Sequence, residues 1–337
     1  MFRKMKYASI MIGLLSLITL VACGSQAKAM GQVEVVTTFD AGQGELPEGV
    51  AIDKPGNIYV SLGPPFFVGG GYGAVLKISP DGTETTVLAE YPTGPAPAGL
   101  AVDASGNVFF AVPEPGGPDV GVYRVSGDGG AERLPGTENM LVPNGLAFEK
   151  QGNLFASDSA LGAIWRIPSG ESGSAEIWLQ HELIAGCTPD DLGANGIAFW
   201  KGDLYVANTS RGALVSVPVM TDGSPGEPTL VAGNLDCAPE GLFGMDGIAL
   251  DVHGNVYALL VLQNKLVRID PTDGTFTTLL TEEEGFWNAA SIAFGTGKGD
   301  RESIFISNYA VLPPEPTNSL GPAILKVNVG IPGMPLP

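Results

Sequence analysis

Four oxygen-bearing side chains stand at one place in a repeated phrase. Glu48, Asn144, Asn195 and Asp246 each come directly before a Gly-aliphatic-Ala triplet, and two further copies put Ala98 and Ala290 there. If the phrase opens the innermost strand of a closed repeat, these six residues form a ring around one axis. Two carboxylates held together away from water would repel each other and keep their protons unless a positive charge compensated. A hard cation bound by carboxylate and amide oxygens supplies that charge. Calcium suits such donors because it accepts many oxygen ligands in loose geometry, whereas magnesium prefers to keep its water. The chain has 2 His and 3 Cys, with no grouping that suits zinc. Each ring residue alone reads equally well as a turn or cap, since Asn and Asp before Gly are ordinary turn residues. The case for a metal rests on four repeats placing oxygen side chains at the same position.

The phrases that must position this ring recur every 44–51 residues. They run from Glu48-Gly-Val-Ala-Ile-Asp-Lys-Pro-Gly-Asn-Ile-Tyr-Val to the degenerate Ala290-Ser-Ile-Ala-Phe. A repeat of this length is a supersecondary unit that buries its apolar faces by stacking on its neighbours. In the third copy four short strands are predicted, over Leu146–Phe148, Leu154–Ser157, Ile164–Ile167 and Ala175–Leu179. Gly-Asn or Gly-Asp between the first two marks a tight hairpin. Four antiparallel strands repeated six times predict an all-β fold, a six-bladed β-propeller spanning 33–329. The strand Val33–Phe39 would complete the last blade, leaving no open edge. No helical periodicity of useful length lies outside the leader, which argues against a parallel α/β fold. The glycine-rich stretch Gly63–Gly73 lacks the following helix and the Gly-Lys-Ser/Thr of a phosphate loop, so it reads as a loop.

Residues 1–23 read as a lipoprotein signal peptide. Arg3, Lys4 and Lys6 precede an apolar stretch, Ala8–Ala22, that is short for a membrane span and ends at Leu20-Val21-Ala22-Cys23-Gly24. Cys23 is the expected lipidation site. Simple secretion with cleavage after Ala27-Lys28-Ala29 is the alternative. Gly24 argues against inner-membrane retention in a cell with two membranes, so the protein is expected to be exported and anchored at the cell envelope. Residues 24–32 read as a short linker and 330–337 as a Pro-rich tail. Cys187 and Cys237 lie in equivalent loops of adjacent repeats, and in an oxidising compartment they are expected to pair. The net charge of -19 becomes more negative once the basic leader is removed. Such a surface excludes nucleic acid as a partner and leaves the lipid anchor as the only expected membrane attachment. Asp158, Asn208 and Asn308, at the ends of second strands, read as turn caps. His253 belongs to a hairpin corner, and His181 is the one histidine with access to the ring's face.

From Val33 to Val329 the chain resembles the calcium-dependent gluconolactonase and senescence-marker-protein family, related to paraoxonases and squid-type phosphotriesterases. The resemblance is carried by Glu48, Asn144, Asn195 and Asp246, which match that family's calcium ligands in type, order and spacing. It implies Ca2+ as cofactor, those four residues as metal ligands, and Asp246 with Asn195 as the catalytic residues, Asp246 as base or nucleophile. It also implies a small-molecule substrate, a lactone, ester or phosphotriester polarised by the ion. Three departures bear on the substrate. The Arg that sugar-lactone hydrolases carry two residues before the third-blade Asn is Val142 here, position 290 is Ala, and no ring strand contains His. Closing phrases such as Gly297-Lys-Gly and Val329-Gly-Ile-Pro-Gly-Met-Pro-Leu-Pro bring the chain nearer to uncharacterised propellers grouped with these enzymes by similarity. A moderately apolar substrate is therefore expected, facing Phe66, Phe67, Leu242, Phe243, Phe286 and Trp287 at the rim. The alternative is an extracytoplasmic binding or scaffold propeller whose calcium is structural.

Overall fold

The computed structural model describes residues 30–68, 71–94, 96–125, 130–170, 173–238 and 240–336. Its strands form six four-stranded antiparallel sheets. After β1 (Glu34–Thr38), blade one is β2 (Pro47–Ile52), β3 (Ile58–Leu62), β4 (Gly71–Ile78) and β5 (Thr85–Gly94). Blade two is β6 (Leu100–Val102), β7 (Val108–Val112), β8 (Gly121–Val125) and β9 (Ala131–Arg133). Blade three is β10 (Pro143–Phe148), β11 (Leu154–Asp158), β12 (Ala163–Ile167) and β13 (Glu176–Gln180). Blade four is β14 (Ala194–Trp200), β15 (Asp203–Asn208), β16 (Ala213–Pro218) and β17 (Thr229–Gly233). Blade five is β18 (Met245–Leu250), β19 (Val256–Leu260), β20 (Lys265–Ile269) and β21 (Phe276–Leu280). Blade six is β22 (Ala289–Phe294), β23 (Ser303–Asn308) and β24 (Ala323–Asn328), with β1 pairing antiparallel to β24 as its outer strand. The molecule is a six-bladed β-propeller.

The repeated Gly after each ring position has a steric reason. The inner strands pack around the axis so closely that a Cβ on Gly49 would lie 2.6 Å from the carbonyl oxygen of Ala98. One on Gly145 would lie 2.5 Å from that of Asn195, and one on Gly247 2.5 Å from that of Ala290. No side chain fits at these positions without moving backbone, so five of the six inner strands carry glycine there, and only β22 departs, with Ser291. Alternating apolar residues then fill the spaces between blades: Phe155, Ile164, Leu204 and Val206 lie in one such core, and Tyr257, Leu259, Ile304 and Ile306 in another.

The chain is stitched at both ends. Beyond β1–β24, the Pro-rich tail crosses from blade six to blade five: Gly333 bridges Asp251, the Met334 N–H donates to the Leu250 carbonyl at 3.0 Å, and Met334 packs on the blade-five core. Cys187 and Cys237 form a disulfide between the loops that lead into β14 and β18. Arg211 ties the same two loops, donating to Ala185 O at 3.0 Å and to Leu235 O at 3.3 Å.

Candidate metal centre

At the start of each of four inner strands the pairing register slips by one residue: between Pro47 and Val50, Pro143 and Leu146, Ala194 and Ile197, and Met245 and Ile248. A bulge of this kind kinks the strand and re-aims a side chain. Here the kinked residues are Glu48, Asn144, Asn195 and Asp246, and β22 slips in the same way at Ala290. Glu48, Asn144 and Asp246 line a cavity of ≈ 70 Å³ at one end of the channel, with Ala290 completing its wall. Asn195 stands against it, 3% exposed.

Serines of blades one, three and six hold the backbone of the ring in place. Ser157 Oγ accepts the Gly145 N–H at 2.9 Å and donates to the Asn195 carbonyl at 2.6 Å. Ser61 does the same between Gly49 and Ala98, at 2.7 and 2.6 Å. Ser307 links Ser291 N–H to the Glu48 carbonyl. In blade four the side chain is fixed as well: Asn195 Nδ2 donates to Thr209 Oγ1 at 3.0 Å, and that hydroxyl donates to Met245 O at 2.9 Å. With its N–H committed, the Asn195 amide keeps Oδ1 free.

The electrostatics are those of a site short of positive charge. Asn195 Oδ1 and Glu48 Oε2 are buried acceptors with no hydrogen-bond partner, a costly arrangement in an otherwise satisfied interior. Burial, then the nearby Asp246 carboxylate, pushes the Glu48 carboxyl up to about 8. Burial pushes Asp246 up to about 7, opposed by a hydrogen bond from Asn195. Glu48 and Asp246 are half-buried and line the cavity. Tyr309 shares this environment: burial, Glu48 and Asp246 in that order raise its phenol well above the usual range. Among the described residues no three His, Cys, Asp or Glu cluster together, and the candidate donors at the ring are two carboxylates and two amides. Orphaned oxygens, paired carboxylates and the absence of soft ligands fit a hard divalent cation.

The other sequence candidates divide clearly. Asp158 accepts Leu141 and Val142 N–H at 2.8 and 3.0 Å, Asn208 donates to Leu183 and Ala185 carbonyls, and Asn308 donates to Gly285 and Gly321 carbonyls: all three cap loops. His181 Nδ1 accepts Leu183 N–H and caps a short 3-10 turn. His253 is exposed in the hairpin turn at the far end of β18. The expected apolar rim is corrected in part. Leu242 and Phe286 are 1% and 0% exposed and belong to blade cores, because the loops carrying them fold these side chains under to cover the sheet ends. Phe67 is 62% exposed, while Phe66, Phe243 and Trp287 are half-buried. Cys23 and its leader lie outside the described residues. Sequence reasoning passed over Thr209 and Tyr309. Their signal was available: each follows the Asn that caps its loop, as Ser159 follows Asp158.

No protein-family model and no curated protein matches the chain. Solved structures do. Regucalcin from Agrobacterium tumefaciens, a calcium-binding protein, is 16% identical over 91% of this chain and 96% of that one, with a TM-score of 0.65. A gluconolactonase from Xanthomonas campestris is 18% identical over 89% of each chain, with a TM-score of 0.61. Virginiamycin B lyase from Staphylococcus aureus is 15% identical over 89% and 99%, with a TM-score of 0.54. At these identities the likeness shows the fold. A propeller shared by a lactonase, a calcium-binding protein and a lyase does not itself select a reaction, which must be argued from the site.

Proposed function

We propose that the protein is a calcium-dependent hydrolase of a lactone, ester or phosphotriester, acting at the ring end of the propeller channel. The observation that carries this reading is the pair of orphaned buried oxygens, Glu48 Oε2 and Asn195 Oδ1, beside two carboxylates whose burial favours their neutral forms. Glu48, Asn144, Asn195 and Asp246 would hold the ion. When bound, calcium supplies a Lewis acid for the carbonyl or phosphoryl oxygen and stabilises charge developing on it. Asp246, ionised by the neighbouring charge and facing the cavity, is placed to take a proton from attacking water or to attack directly. Asn195 keeps it aligned through their hydrogen bond. The serine links and Thr209 hold this geometry before substrate arrives. Phe67 and its half-buried neighbours offer apolar surface to the non-reacting part of a substrate.

A second reading is a binding propeller with a structural ion, favoured by the small cavity, ≈ 70 Å³, around the ring. A panel of lactones, aryl esters and phosphotriesters, assayed with calcium or chelator and repeated with Asp246→Asn, separates the two. The hydrolase reading expects activity that needs both calcium and Asp246, and activity indifferent to both would sink it. Chelation that lowers stability without activity in any class would establish the structural role. We place the chain outside the cytoplasm, lipidated at Cys23, a reading that the disulfide supports. Metabolic labelling with palmitate, lost in Cys23→Ala, tests the anchor.

A further inference from the structure

One neutral group at the site is left unused by this reading. Tyr309 directly follows β23, and pairing register makes its position equivalent to Ser159 and Thr209: Pro143 faces Asp158, Ala194 faces Asn208 and Ala289 faces Asn308. Both equivalent hydroxyls point to the ring. Ser159 donates to Ala194 O at 2.7 Å, one residue before Asn195, and Thr209 holds the Asn195 amide itself. By the same register Tyr309 stands at the ring end of β23, next to position 290, where Ala290 lines the cavity with only a methyl group. Tyr309 is 8% exposed, and no hydrogen bond to its hydroxyl occurs among the described residues. Its backbone is fixed on both sides. Trp287 N–H donates to Asn308 Oδ1 at 2.8 Å, and Ala310 sits at φ 58° with its N–H bonded to Trp287 O at 2.8 Å. A left-handed alanine is unfavourable by about 1 kcal/mol or more, so this conformation persists only because its surroundings impose it.

With the ring's carboxylate and freed amide oxygens turned to a cation, none of them hydrogen-bonds the oxygen that departs as the C–O bond of an ester or lactone breaks; the proton that Asp246 takes from the attacking water is the one that finally returns to that oxygen. We propose that Tyr309 is the catalytic hydrogen-bond donor to that leaving oxygen, reached from the blade-six side of the ring. This rests on the hydrolase reading above. It makes the leaving group an alkoxide-like oxygen, as in lactones and alkyl esters, the class that gains most from a donor.

The test compares wild type, Tyr309→Phe and Tyr309→His in the full chain, with calcium, on an alkyl ester or lactone and on a 4-nitrophenyl ester. Calcium affinity by calorimetry and Tm are measured alongside. Tyr309→Phe is expected to lose about 100-fold in kcat on the alkyl substrate. On the nitrophenyl ester, whose leaving group needs no help, the loss should be about 3-fold or less, with calcium affinity unchanged. Tyr309→His, which restores a donor, should recover most of the rate and guards against a packing effect. Equal losses on both substrates, an unchanged kcat, or a fall in calcium affinity that accounts for the lost rate would each overturn the assignment. A wild type inactive on every substrate would instead remove the hydrolase reading, and this inference with it.

Discussion

The inner strands of this propeller run between two sets of recurrent acidic residues, and the two ends treat them in opposite ways. At the hairpin end, Asp53 accepts Gly56 and Asn57 N–H, the Asn57 amide at 2.7 Å and the Tyr59 hydroxyl at 3.0 Å. Asp251 accepts His253 and Asn255 N–H and the Asn255 amide at 2.7 Å. At the ring end, Glu48 and Asp246 face each other, with an orphaned oxygen on Glu48. Burial does not separate the sets, since Asp53 and Asp251 are 5% and 0% exposed. Donors do. A tight turn supplies N–H groups to its own carboxylate, so the hairpin acids complete the fold. The bulged strand start supplies no backbone N–H to the ring acids, which lack the donors that hold the hairpin acids.

The sharpest way to break this contrast is to remove one acid from each end. Glu48→Gln should weaken calcium binding by about 100-fold or more, at or beyond the upper end of what losing an outer-shell partner costs. Asp251→Ala should leave calcium affinity unchanged and lower folding stability by roughly 1–3 kcal/mol, since it orphans buried donors. Calorimetric titration and urea unfolding of both variants check this. A Glu48→Gln protein that binds calcium normally would show that the orphaned oxygens are incidental.

Much of this contrast is legible without coordinates, but not its meaning. The repeat locates both acid positions, and the four oxygen side chains at 48, 144, 195 and 246 stand out because Ala98 and Ala290 do not share the pattern. What spacing cannot show is where hydrogen-bond donors go, because that depends on the bulge in β2 and β18 and on the hairpin turns. For the same reason Tyr309 escaped notice: only register shows that it shares the direction of Thr209. Leu242 and Phe286 misled in the opposite sense. An apolar residue in a rim loop can serve a ligand or cap a blade, and composition does not distinguish the two.

A pH series tests the ring end with a smaller effect. In the metal-free protein the folded-state values of Glu48 and Asp246 lie above their ordinary ones. The native state therefore holds more protons than the unfolded chain between the normal carboxylate range and about pH 8. Stability must fall as pH rises through that window. Calcium, by favouring both charged forms, should flatten the slope. The double variant Glu48→Gln, Asp246→Asn should flatten it without calcium. Thermal melts from pH 5 to 8 with chelator or calcium check this, and a metal-free Tm independent of pH in the wild type would argue that the two carboxylates are not coupled.

The smallest effect tests whether the hairpin end is graded as its donors imply. Asp103 occupies the same turn position as Asp53 and Asp251, accepting Ser105 N–H, Asn107 N–H and the Asn107 amide at 2.9, 2.8 and 2.7 Å. It is half-exposed, and the residue matching Tyr59 is Phe109, so it lacks the phenol that helps Asp53. Asp103→Asn keeps an acceptor for the backbone N–H groups and loses only the one for Asn107 Nδ2, whose N–H can turn to water. The cost should be about 0.5–1 kcal/mol, below that of Asp251→Asn, where water cannot take over. Urea midpoints of the two variants decide the order. If Asp103→Asn instead altered calcium affinity, the strand would be transmitting strain from turn to ring, and its two ends would have to be treated as one unit.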